Sequence, residues 1–150
     1  MMILRTKTLL LLGASLALGS FARAQDTDKL IAALTKVESR GNAAAVGDNG
    51  KAFGILQIHL SMVQDANRIA GTNYTHHEMF DATKARTVAK IVLDHYSKRI
   101  RSVTGRAATL KELAFIWNGG GASWKRADAP MNDSKQRNLA AYWNKVSKAL

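Results

Sequence analysis

The sequence has no cysteine, a single proline at Pro130, few aromatic residues (7%), and only 11 acidic side chains against 22 lysines and arginines. Without cysteine no disulfide can form, so packing must supply all of the stability. With one proline, helices can run almost uninterrupted. No internal repeat or low-complexity segment is present. The basic excess favours a polyanionic partner, whether nucleic acid, an anionic membrane surface or an anionic cell-wall polymer. The positive residues are scattered rather than blocked, which is the pattern of an ordinary solvated surface. Charge alone selects no partner.

The one long apolar run lies at the start. Residues 1–24 carry Arg5 and Lys7, then Leu9 to Leu18, then Ala22-Arg23-Ala24. That order is the order of a secretory signal peptide, with cleavage expected between Ala24 and Gln25. As a membrane anchor the apolar core is too short, and no cysteine near the site offers a lipid attachment. The remaining 126 residues, 25–150, have the size of one domain with one core. They carry 19 basic and 11 acidic side chains, a charge of +8 with histidine neutral. Export argues against nucleic acid. It leaves the periplasm or the outside of the cell as the expected location, with no stable membrane insertion once the leader is gone.

The stretch Val37 to Gln57 organises the rest. Leu30, Ile31, Leu34 and Val37 recur at the 3-and-4 spacing of an amphipathic helix, and Glu38 follows at the edge of that stripe. Gly41 and Asn42 end the helix. A carboxylate at the edge of a core has a disfavoured charged form, which moves it toward the range of a general acid. The following loop holds Gly47, Asp48, Asn49, Gly50 and Gly54, all turn residues.

Further helices are expected from Ser61 as cap to Ala70, and from Asp81 as cap through Ile100 to Gly105. Another runs over Leu110 to Trp117 behind the capping box Thr109-x-x-Glu112, with Asn118 to Gly121 as a sharp break. The last covers Gln136 to Ala149, with Leu139, Tyr142, Trp143 and Val146 inward. The only short strand candidate is Phe53 to Ile58. Met62 and Met79 read as gap-filling apolar residues. The adjacent histidines His76 and His77 lack the spacing of a zinc site, so neither metal nor other cofactor is expected. Trp124 can line a groove, whereas Trp143 reads as core.

Taken together, Glu38-Ser39, Gly54-Ile55-Leu56-Gln57, Ile116-Trp117-Asn118-Gly119-Gly120, and Tyr142 with Val146 resemble the four signature motifs of the lytic transglycosylase (SLT-type) catalytic domain of the lysozyme-like superfamily. The likeness covers nearly all of 25–150, in order. It implies a mainly α, lysozyme-like single domain, helices around a substrate groove, with at most a very small β element. It also implies peptidoglycan glycan strands as partner, and the chain is expected to act as a monomer. The loop Gly47 to Gly54 is similar to that of goose-type lysozymes, which place an aspartate where Asp48 stands. In that group a further aspartate usually follows the glutamine by two positions; here it is His59. The middle motif departs from the commoner Ala-Tyr-Asn-Ala-Gly in carrying the bulkier Trp117, expected to alter the groove wall.

Breaking a glycosidic bond needs a proton delivered to the leaving oxygen as an oxocarbenium-like centre forms, and Glu38 is the candidate. Gln57 and Asn118 carry amides that donate and accept, suited to N-acetyl and hydroxyl groups or, equally, to capping their own loops. The resemblance implies that Tyr142 directs its phenol at Glu38. Ser39 either helps fix the glutamate or bonds its own backbone. In the family the single glutamate serves as acid and then base while the muramic acid 6-hydroxyl closes on its own anomeric carbon. Asp48 is the one residue that could instead hold a water for hydrolysis. The alternatives are a goose-type-like lysozyme using Glu38 with Asp48, an enzyme cleaving chitin or chitosan, or a non-catalytic cell-wall-binding module.

Overall fold

The first helix, α1, is defined by its apolar stripe. The computed structural model describes residues 26–150, and the expected export segment, 1–24, with its expected cleavage site lies outside the described residues. Residues 26–39 are helical, and Leu30, Ile31, Ala33 and Leu34 are buried at 4% exposure or less. Arg40 (φ 55°) and Gly41 (φ 83°) turn left-handed and end the helix, as expected of a glycine after the last turn.

Three two-residue strands follow: β1 (Val46–Gly47), β2 (Ala52–Phe53) and β3 (Ile58–His59). They pair antiparallel in chain order, Val46 opposite Phe53 and Phe53 opposite Ile58. The stretch Phe53 to Ile58, expected as one strand, is therefore a hairpin. Residues 54–57 form its turn, with Gly54 at φ 73° and Gln57 at φ 48°. At Gly54 a glycine is obligatory, because a Cβ there would overlap the backbone carbonyl of Met79.

α2 (Leu60–Ala70) leaves β3 directly, its N-cap being the extended His59 without a side-chain bond. Ser61 therefore lies inside the helix rather than capping it. The left-handed Gly71 closes it, as the sequence implies. α3 (Ala82–Thr104) is capped by Asp81, whose carboxylate accepts from Thr83 N (2.8 Å) and Lys84 N (3.0 Å), and is closed by Gly105 at φ 75°. Its inward face gains Ala85, Ala89 and Leu93 beside Val88, Val92 and Ile100, all 4% exposed or less.

α4 (Leu110–Gly119) opens on the complete Thr109–Glu112 capping box. Arg106 adds a two-pronged ion pair to the Glu112 carboxylate, at 2.7 and 2.9 Å. The residues from Glu112 to Trp117 are all buried, which makes α4 the central helix of the core. It extends through Asn118 and Gly119 instead of breaking at Asn118, and Gly120 (φ 86°) is the stop. Gly119 stays helical because α5 packs close; a Cβ there would lie 2.8 Å from Leu139 Cδ2. α5 (Ser134–Ala149) starts two residues earlier than expected, since Asp133 caps it through a 2.7 Å bond from Gln136 N. Leu139, Tyr142 and Val146 are buried, and Trp143 packs half-buried against the core. The result is a mainly helical, lysozyme-like domain with a very small sheet.

Candidate active site

The end of α1, the hairpin, the start of α2 and the end of α4 enclose a groove of about 290 Å³, lined by Glu38, Asp48, Ala52, Gln57, His59, Met62, Trp117 and Asn118. A second lobe of about 220 Å³ shares His59, Met62 and Trp117 with it and continues past Asp65, Tyr96 and Gly121. The two lobes adjoin at those three side chains. Met62 and Trp117 thus serve groove as well as core, and Met79 is wholly buried.

Glu38 stands half-buried in the first lobe. The Tyr142 hydroxyl donates to Glu38 Oε1 at 2.5 Å across 104 residues. Burial is the largest influence on Glu38 and raises its carboxyl above the usual 4.5. The Tyr142 bond, a bond from the Trp117 side chain and the charges of His59 and Lys145 offset part of that rise. Tyr142, only 8% exposed, has its phenol pushed far up by burial and by the neighbouring carboxylate. It is a hydrogen-bond donor and no acid.

Ser39 does not bond its own backbone. Its hydroxyl donates to the Ile55 carbonyl at 2.8 Å, pinning the glutamate-bearing end of α1 to the hairpin turn. Gln57 lines the groove, yet its amide nitrogen donates to Gly54 O (2.9 Å) and Ala45 O (3.3 Å). It is a loop-capping amide holding a left-handed backbone. Gly47 makes room for it, because a Cβ there would overlap Gln57 Oε1. Asn118 is exposed on the groove wall.

Asp48 is left-handed (φ 46°), and its Oδ2 lies 3.4 Å from His59 Nε2. His59 is the site residue that the sequence did not mark for a role. Its only signal was its place two residues after Gln57, where β3 passes into α2. His76 and His77 are scaffold. His76 bonds the Ile58 carbonyl at 2.8 Å and stacks on Phe53 at 4.0 Å, while His77 sits edge-on to Phe80. Among the described residues no group of three or more histidines or carboxylates is arranged to hold a metal. Trp124 lines neither lobe.

A mainly helical, lysozyme-like domain with one desolvated glutamate in an open cleft is the class that fold and site define. The chain belongs to the Transglycosylase SLT domain family, which matches residues 20–140. Tyr142 lies two residues beyond that match. Membership gives the protein, in general terms, a lytic-transglycosylase-type function in degrading cell-wall peptidoglycan, consistent with an exported location. No curated protein and no solved structure matches the chain. Among the described residues no helix is long and apolar enough to cross a membrane.

Proposed function

We propose that the protein is an exported murein lytic transglycosylase that cleaves the β-1,4 bond between N-acetylmuramic acid and N-acetylglucosamine and leaves 1,6-anhydromuramic ends. The observation that carries this is Glu38: a carboxyl raised by burial, held by Tyr142 and open to the cleft. Protonated, it delivers its proton to the leaving C4 oxygen as the C1–O bond breaks. As carboxylate it then takes the proton of the muramic acid 6-hydroxyl while that oxygen bonds C1. Tyr142 steadies the charged form in mid-cycle, and Asn118 and Trp117 face the sugar from α4. Ser39 acts by holding the end of α1 against the hairpin turn, and Gln57 by holding the loop around that turn in shape.

A second reading stays open because Asp48 lines the same lobe as Glu38. A carboxylate placed to hold a water would give ordinary reducing ends, the outcome of a lysozyme. Mass spectrometry of soluble fragments from purified peptidoglycan, digested by residues 25–150 and by the Glu38→Gln variant, separates the two. Anhydro ends that fall by about 10²–10⁴-fold in the variant support the transglycosylase. Reducing ends support the hydrolase, and no fragments from either protein leave a wall-binding module.

A further inference from the structure

Three carboxylates line the two lobes: Asp65 pairs with Arg68 at 3.0 Å, Asp48 faces His59, and Glu38 has no ion pair among the described residues. Asp48 sits in the same lobe as Glu38, on a left-handed residue of the β1–β2 connection. His59 Nε2 lies 3.4 Å from its Oδ2, and both side chains remain about half exposed, at 44% and 58%. The imidazole lines the same lobe as both Asp48 and Glu38. We infer that His59 biases the outcome of the reaction by competing for Asp48: it disfavours the binding and orientation of a water by that carboxylate, so the substrate's own 6-hydroxyl reaches the anomeric carbon more often.

The inference rests on the transglycosylase reading above and deepens it. Two nucleophiles compete for the same centre once Glu38 has protonated the leaving oxygen and the glycosidic C1–O bond has broken. In one outcome the 6-oxygen bonds C1 and its proton returns to Glu38, with no water consumed. In the other a water oxygen bonds C1, its proton goes to a carboxylate, and the product carries one water more. A water needs a carboxylate with a free lone pair facing the sugar to be oriented for attack. With a hydrogen on Nε2, His59 lies 3.4 Å from Asp48 Oδ2 and competes with a water for that oxygen. An exposed pair of this kind is weak, so it biases the partition rather than closing the hydrolytic route.

The test compares wild-type protein with His59→Asn, His59→Ala, Asp48→Asn and the double variant His59→Ala/Asp48→Asn, all on purified peptidoglycan. The ratio of reducing to anhydro ends is read by mass spectrometry. The expected result is a ratio raised about 2- to 5-fold in both His59 variants and returned to the wild-type value in the double variant. Total cleavage does not enter the ratio, so a general loss of activity does not mimic the effect. An unchanged ratio in both His59 variants overturns the inference, and so does a raised ratio that persists in the double variant, which would mean water entry without Asp48. His59 variants that yield no fragments overturn it as well, because His59 would then serve cleavage itself. If the wild-type protein yields only reducing ends, or no fragments, the transglycosylase reading itself fails.

Discussion

Glu38→Gln is expected to stabilise the domain at neutral pH while removing its activity. The folded protein raises the Glu38 carboxyl above 4.5, chiefly by burial, so the folded state holds this proton more tightly than the unfolded chain does. As pH rises from about 4.5 through the folded value, the unfolded chain ionises first, and stability falls. The loss is about 1.4 kcal/mol for each unit by which the carboxyl is raised. Below that window the penalty is absent; above it the penalty is complete. Glutamine escapes it and still offers an oxygen to the Tyr142 hydroxyl, giving up only the charge-assisted part of that bond, about 1 kcal/mol. The net gain expected at pH 7.5 is about 0.5–2 kcal/mol, or about 2–8 °C in Tm for a domain of this size. Thermal unfolding followed by circular dichroism at pH 7.5 and pH 4 reads it directly, with the gain present at the first and gone at the second. A variant that melts below wild type at pH 7.5 would refute the reasoning, because Tyr142, Trp117 and the nearby charges would then outweigh burial.

Three further outcomes are expected. Tyr142→Phe removes the strongest of the bonds that hold the Glu38 carboxyl down, so the alkaline limb of the kcat/KM–pH profile moves to higher pH and the maximal rate falls about ten-fold; an unmoved limb would detach Tyr142 from the titration. Arg106→Ala leaves the Glu112 carboxylate, 3% exposed, without its ion pair, at a cost of about 3 kcal/mol by urea unfolding at pH 7. Burial raises Glu112, but Arg106 and Thr109 together outweigh it and hold the carboxyl below 4.5. The wild-type advantage is therefore present above pH 4.5 and shrinks as pH falls through the lowered value. Gly54→Ala drives a methyl into the Met79 carbonyl on a left-handed residue, costing more than about 3 kcal/mol; a folded, active variant would show that the hairpin can shift.

The helices were legible where local chemistry decides them. Asp81, Gly71, Gly105 and the Thr109–Glu112 box terminate their helices through side chains or glycines written in the sequence itself. Glu38 and Tyr142 were legible through the resemblance, and the structure brings them together. The misreadings of element ends depend on pairing and packing that a local pattern does not contain. Asn118 looked like a breaker because Gly119 follows it, but Gly119 is helical to admit Leu139 of α5. Ser61 looked like a cap, but the pairing of β3 with β2 carries His59 into that place. For Gln57 the sequence left sugar binding and loop capping both open; its amide nitrogen donates to Gly54 and Ala45 while the side chain still lines the groove. His59 had no period or motif to mark it, because its meaning arises only across the hairpin, opposite Asp48.

The bond from Tyr142 to Glu38 spans 104 positions, and Lys36 Nζ, from the same helix as Glu38, reaches the Ala149 carbonyl at 3.0 Å. The first and last helices are thus clasped at the glutamate. Contacts so remote along the chain form only once the core between them has assembled, since closing a long loop is unfavourable until that packing rewards it. A nascent chain, or one clipped before α5, carries Glu38 without the phenol that steadies it. The clasp therefore works as an interlock. The reactive group has its full set of partners only with α1 and α5 both in place.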